Sequence, residues 1–216
     1  MCNANCIIFG VKNLARDEVA GKKVIEVGSY NVNGSLRPII ENWGSAGYIG
    51  VDRVKGPGVD KVCRVEDIVD EFGRESFDIV IATELLEHVL DWRKAISNLK
   101  RICRPGGIII ITTRSCGFGY HAHPFDFWRY EVSDMKEIFS DFKILSLQKD
   151  PQDPGVFLKA GKPLNFQERD LSLYQLYSII GNRRVREIEK RDYRSLHYLK
   201  LYFSDKIKRL VKGKKL

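Results

Sequence analysis

Between Lys23 and about Lys162, short β-branched and apolar runs alternate with amphipathic segments, the pattern of a parallel sheet covered by helices. VIEVG (24–28) and YIGVD (48–52) predict the first two strands, and VDKVCRV (59–65) contains a third. FDIVIAT (77–83) and IIIITT (108–113) are almost wholly apolar, as expected of central strands buried on both faces. Between them Leu90, Ala95, Ile96, Leu99 and Ile102 recur at roughly helical spacing, predicting a helix over 90–103. Arg104-Pro105-Gly106-Gly107 then stops it. FKILSLQ (142–148) and GVFLKAG (155–161), joined by a Pro- and Asp-rich connection, predict a closing antiparallel hairpin and bring the strands to seven.

After Pro163 the pattern changes to basic, tyrosine-rich segments of helical character, in which Leu196, Leu199, Phe203, Ile207 and Leu210 mark one apolar stripe. From Lys162 onward there are 15 Lys and Arg against 6 Asp and Glu, whereas the first 161 residues are balanced to within one charge. The organisation expected is a lead-in over 1–22, one α/β domain over 23–162 and a basic helical extension over 163–216. A length of 216 residues suits one such core and is short for two.

An apolar fraction of 44% and a charged fraction of 30% argue against disordered and fibrous classes. No run approaches the roughly 18 to 20 apolar residues that cross a bilayer, and MCNANCIIFGVKN has neither the basic leader nor the cleavage site of a secretory signal. The five cysteines (Cys2, Cys6, Cys63, Cys103, Cys116) include no CxxC pair, which fits reduced thiols and a cytoplasmic location. Cys2 and Cys6 lack the second pair that a structural zinc site needs.

The chemistry begins at Glu26-Val27-Gly28-Ser29-Tyr30-Asn31-Val32-Asn33-Gly34-Ser35, a strand ending in an acid and a glycine before a turn. Such a segment brings a ligand to the carboxyl edge of an α/β sheet. Gly28 admits the ligand without a Cβ in the way, and Asn31, Asn33 and Gly34 tolerate the positive φ of a tight loop. About two dozen residues later the second strand ends at Asp52, where a carboxylate can accept both hydroxyls of a ribose or, more plainly, cap a helix.

VIEVGSYNVNGS, YIGVD, VCRVEDI, SFDIVIATELLEHV, NLKRICRPGGIIIITT and YHAHPFDFWRYE, in that order over residues 24–162, resemble the class I S-adenosylmethionine-dependent methyltransferases of the methyltransferase-11 type. The resemblance implies a Rossmann-like α/β fold: a mostly parallel seven-stranded sheet in the order 3-2-1-4-5-7-6, helices on both faces, and S-adenosylmethionine across strands one, two and four. Glu26, Gly28 and Ser29 would then line the methionine side, Asp52 would hold the ribose, Glu66 and Asp67 would stand near the adenine, and Thr83 and Glu84 would close the pocket. His88 also matches the family, and doubles as a helix-start residue packed on the sheet. This chain departs at Tyr30 and Val32, where the family has glycines, and at Arg64, where an acid often stands. The GxGxxG of a dinucleotide-binding dehydrogenase is not met by Gly28 and Gly34.

Methyl transfer is an in-line displacement, so positioning supplies much of the acceleration. A base is needed only where the acceptor must lose a proton. The segment 113–131 follows the carboxyl end of a central strand and holds the candidate acceptor groups. In one reading His121 or His123 is a general base oriented by Asp126, and Arg114, Tyr120, Trp128, Arg129 and Tyr130 contact the acceptor. In another the segment is a structural loop with Trp128 in the core. A third takes His121, His123 and Asp126 as ligands of a divalent transition ion, but the resemblance requires no metal and none is assigned.

The acceptor expected is a small molecule, a glycan or a lipid-linked precursor. The alternatives are an RNA or protein methyltransferase docking through the basic tail, or a nucleotide-binding module without catalysis. For the tail, an anionic membrane surface bound peripherally and RNA phosphates compete with an ordinary solvated face. No zinc finger, RNA-recognition or base-methylating motif accompanies it.

Overall fold

A computed structural model describes residues 4–211. At its centre β1 (Lys23–Val27) pairs in parallel with β2 (Gly47–Asp52) on one side and β4 (Phe77–Thr83) on the other. The short β3 (Lys61–Val62) extends β2, and β5 (Cys103–Arg114) runs parallel to β4. Next, β8 (Gly155–Gly161) and β7 (Lys143–Lys149) close the sheet antiparallel. The order β3-β2-β1-β4-β5-β8-β7 is the one the resemblance implied, since β6 (Trp128–Arg129) belongs to a second sheet.

Alternation along β5 divides the core: Ile109 and Ile111 face one layer and Ile110 the other. On the first face lies α5 (Trp92–Ile102), which buries Ala95, Ile96, Leu99 and Ile102 of the predicted stripe together with Trp92, while Leu90 precedes the helix and is exposed. Asp91 caps it by accepting the Lys94 amide at 3.0 Å. On the same face, α4 (Ile68–Phe72) buries Ile68 and α6 (Val132–Ile138) buries Met135 and Ile138. The second face is covered by α1 (Ala4–Asn13), the short α2 (Arg16–Val19) through Val19, and α3 (Arg37–Asn42), with Phe9 packed against Phe157 at 5.2 Å. The described part of the lead-in is therefore helical and packed on the sheet. The Cys2 half of the Cys2/Cys6 pair lies outside the described residues.

One expectation is met and extended, another corrected. The helix α5 ends at Ile102, just before Arg104 to Gly107, and these residues already belong to β5, which shifts register there as Gly106 and Gly107 exchange backbone bonds with Lys162. The extension is not helical throughout, and residue 163 is no break in packing: β9 (Leu176–Ser178) and β10 (Arg183–Val185) join β6 in an antiparallel sheet, and Leu176 and Ile180 belong to the main core. The terminal α7 (Leu196–Val211) packs through Tyr198 and Leu201, leaving Leu196, Phe203, Ile207 and Leu210 exposed. No helix among the described residues is long and apolar enough to cross a membrane.

Candidate active site

The carboxyl edge of the parallel strands carries the site. At the end of β1, Gly28 takes φ +83, and a Cβ there would meet the Leu85 side chain at 3.1 Å. The Gly28 and Ser29 amides donate to the Val51 carbonyl, tying the turn to β2. The Asp52 carboxylate accepts the Tyr30 amide at 3.3 Å and the Val54 amide at 3.1 Å. A carboxylate offers about four lone pairs, so Asp52 keeps acceptor capacity at the mouth of this turn. Ser29 is buried with its hydroxyl unpaired.

The other predicted cofactor residues spread around this edge. Glu26 is buried and turned to α3, accepting the Ser35 hydroxyl at 2.9 Å and the Tyr48 hydroxyl at 2.6 Å. Burial raises its carboxyl above the ordinary value despite these bonds. Glu66 is ion-paired with Arg64 at 2.8 Å, Asp67 is exposed, and Asn98 holds their turn by donating to the Val65 and Glu66 carbonyls. Thr83 and Glu84 end β4, buried, and Glu84 adopts φ +54. A left-handed non-glycine residue costs about 1–2 kcal/mol. Here the Glu84 amide bonds the Thr112 carbonyl, and the carboxylate is ion-paired with Arg114 and accepts from Cys6. Burial, then the nearby Glu87, raises the Glu84 carboxyl well above its usual range.

Arg114, at the end of β5, also pairs with Asp150 at 3.3 Å and lies over the Phe118 ring at 4.3 Å. Asn5, from α1, donates to Asp150 at 2.9 Å. The guanidinium is thus the hub of a buried network rather than an open acceptor contact. Trp128, Arg129 and Tyr130 likewise serve the core. The Trp128 indole donates to the Leu90 carbonyl at 3.1 Å, Arg129 grips Asp126 at 2.6 and 2.7 Å, and the Tyr130 hydroxyl donates to the Leu86 carbonyl at 3.3 Å. All three are at most 1% exposed, so they wall no pocket, as the structural-loop alternative had it.

The remaining candidates gather around the one-turn 3-10 helix Leu86–His88. Glu87 is fully buried, and one carboxylate oxygen accepts the Thr113 hydroxyl at 3.0 Å. The His88 Nδ1–H donates to the Phe125 carbonyl at 2.5 Å. Burial keeps the His88 imidazole below its ordinary value. His121 Nδ1 lies 3.0 Å from Asp126 Oδ2, which also accepts the His121 amide at 2.9 Å. Burial alone would raise the Asp126 carboxyl, but Arg129 and His121 hold it well below the usual range. The structure therefore brings His121 and Asp126 together, as the acceptor reading required, while His123 is exposed, 6.4 Å from His121 between ring centres. Tyr120 stacks edge-on against Tyr198 of α7 at 6.3 Å. The sequence marks Cys6 only as half of a Cys2/Cys6 pair and does not mark Glu87, whose signal is its place three residues after Glu84 in ELLEHV.

A family model described as "Methyltransferase domain" matches residues 8–150, two thirds of the chain. It is of the methyltransferase-23 type, where the motifs resembled type 11. A human ubiquinone biosynthesis O-methyltransferase is 34% identical over 110 residues, covering 43% of this chain and 29% of the relative, so the chain spans under a third of that protein's length. Among solved structures, Burkholderia thailandensis 1,6-didemethyltoxoflavin-N1-methyltransferase, with 1,6-didemethyltoxoflavin and S-adenosylhomocysteine bound, has a TM-score of 0.61 at 16% identity over 74% of this chain and 79% of its own. An S-adenosylmethionine-dependent methyltransferase from Mesorhizobium loti has a TM-score of 0.55 at 16% identity over 72% and 96%.

The chain belongs to the class I S-adenosylmethionine-dependent methyltransferases. Its residues fit that cofactor. Gly28 turns the chain at positive φ with its backbone close against Leu85, Asp52 has acceptors to spare for ribose hydroxyls, and Ser29 holds an unpaired buried hydroxyl in the same turn.

Proposed function

We propose that this chain transfers a methyl group from S-adenosylmethionine to a small organic acceptor bearing a hydroxyl or similar nucleophile, bound under the loop 115–127. The observation that carries this reading is the position of Phe125. Its ring lies 5.8 Å below the Arg53 guanidinium, next to Asp52, while its carbonyl holds His88. One loop therefore spans from the cofactor-binding turn to the Glu87, His88 and His121 cluster, making them parts of one site.

When bound, the cofactor supplies a methyl group on a positively charged sulfur. The chain's own contribution is placement. Asp52 fixes the ribose and Gly28 the methionine end, and the loop sets the acceptor in line, which is where most of the acceleration in such a displacement arises. A hydroxyl proton leaves at the exposed edge of the loop, where His123 stands. The relatives support a small acceptor, being named for methylation in ubiquinone biosynthesis and of 1,6-didemethyltoxoflavin.

The test is transfer of labelled methyl from S-adenosylmethionine into a metabolite extract, and in parallel into RNA and protein from the same cells. Label in a low-molecular-weight product is expected. Label confined to RNA or protein overturns the acceptor class, and failure of S-adenosylhomocysteine to bind overturns the cofactor site itself.

A further inference from the structure

We propose that Glu87, His88 and His121 form a binding site for a divalent transition-metal ion. Their ligand atoms all lie within 4.8 Å of one another. Glu87 Oε1 is 3.8 Å from His88 Nε2 and 4.0 Å from His121 Nε2. Metal bonds of about 2.0–2.2 Å put neighbouring ligands roughly 3.0–3.5 Å apart. Closing the site around an ion therefore requires each group to draw in by about half an ångström, within reach of side-chain rotation.

The surroundings aim these atoms inward. The outer nitrogen of His88 is occupied by the Phe125 carbonyl, and that of His121 faces the Asp126 carboxylate. A carbonyl or carboxylate behind the ring is the usual support of a metal-ligating histidine, because it fixes the tautomer and turns the other lone pair toward the ion. Thr113 does the same for Glu87 by holding its second oxygen. Glu87 Oε1 and His88 Nε2 are left buried without a hydrogen-bond partner. An unmet buried polar atom is costly, and a cation between them offsets that cost.

Two imidazoles and one carboxylate suit zinc and its transition-metal neighbours better than magnesium or calcium, which favour all-oxygen sets. The set differs from the His121, His123 and Asp126 trio that the sequence suggested, since Asp126 is engaged by Arg129 and His123 stands apart. Three protein ligands leave a coordination position open toward the acceptor loop. The inference does not depend on methyl transfer, because binding of an ion is read directly.

The experiment uses the full chain after chelator treatment, titrated with Zn²⁺ by calorimetry and with Co²⁺ by visible absorption. One Zn²⁺ per chain is expected, with a cobalt spectrum free of thiolate charge transfer, which sets the cysteines aside. His121→Ala and Glu87→Gln should each weaken Zn²⁺ by at least about tenfold, while His197→Ala, whose ring bonds the Ile179 carbonyl away from the cluster, should not. Retained S-adenosylhomocysteine binding certifies each variant as folded, and the near-isosteric Glu87→Gln decides the matter if His121→Ala fails that check. No stoichiometric Zn²⁺ binding, a thiolate-type cobalt spectrum, or Zn²⁺ affinity unmoved in a folded variant overturns the site.

Discussion

The two halves of the carboxyl edge are built on different principles. At β1 and β2 the work is done by backbone: a glycine at positive φ, amides donated to Val51, and one half-buried carboxylate, Asp52. At β4 and β5 it is done by buried charge, with Glu84, Arg114 and Asp150 in one network and Glu87, His88, His121, Asp126 and Arg129 in the next. The turn between β1 and β2 is encoded by one short segment, whereas the networks at β4 and β5 are assembled from residues more than a hundred positions apart, such as Asn5 and Asp150.

The sharpest way to break this contrast is at Arg114. Arg114→Met leaves Glu84 without its cation in the interior, and removing one partner of a buried pair costs about 3–5 kcal/mol. Urea denaturation should show that loss as a lower midpoint. A midpoint near wild type would mean that the β4 and β5 half is not held by its charges.

The opposite outcome is expected at Asp52. Asp52→Ala removes an ionised acceptor, and hydrogen bonds to charged groups are worth about 1.5–3 kcal/mol each. S-adenosylhomocysteine affinity should therefore fall by about tenfold to a few hundredfold, with the urea midpoint little changed. Unaltered affinity in a folded variant would remove Asp52 from the site. Gly28→Ala sits between the two. Its left-handed backbone costs an L residue about 1–2 kcal/mol, and the new methyl meets Leu85 at 3.1 Å. A modest loss of both stability and cofactor affinity should follow; a loss in neither would mean that the turn relaxes freely.

The same contrast explains what was legible in the sequence. The strands 77–83 and 155–161 were found to the residue because buried strands are continuous apolar runs, and Gly28 and Asp52 stood out because their spacing is local. Trp128, Arg129 and Tyr130 misled for a physical reason. Aromatic and charged side chains after a central strand suit a pocket wall and a core anchor equally, and what decides is β9, some 50 residues later, which pairs with β6 and buries them. The stripe on α7 had the right period, but Tyr198 and Leu201, on another side, make its contacts with the core. Periodicity shows that a helix has an apolar face and not which face is used.

Glu26 offers the smallest effect and the finest test, because it places one buried ionisable group in the half otherwise built from backbone. Burial raises its carboxyl above the ordinary value of 4.5, and the bonds from Tyr48 and Ser35 and the charge of Arg37 only partly offset this. Below 4.5 both folded and unfolded chains hold the proton, and the fold bears no penalty. As pH rises, the unfolded chain ionises first, so stability falls until the higher folded value has been passed. Glu26→Gln removes the titration. Both hydroxyls bond the same oxygen, Oε2, and a glutamine carbonyl has two lone pairs to accept them. The variant should thus be more stable than wild type at neutral pH, with the difference shrinking as pH is lowered toward 4.5. Urea denaturation of both proteins between about pH 4 and 8, without cofactor, measures it. A difference constant across that range would mean that the Glu26 carboxylate is as well stabilised in the fold as in water, and that its burial does not raise it.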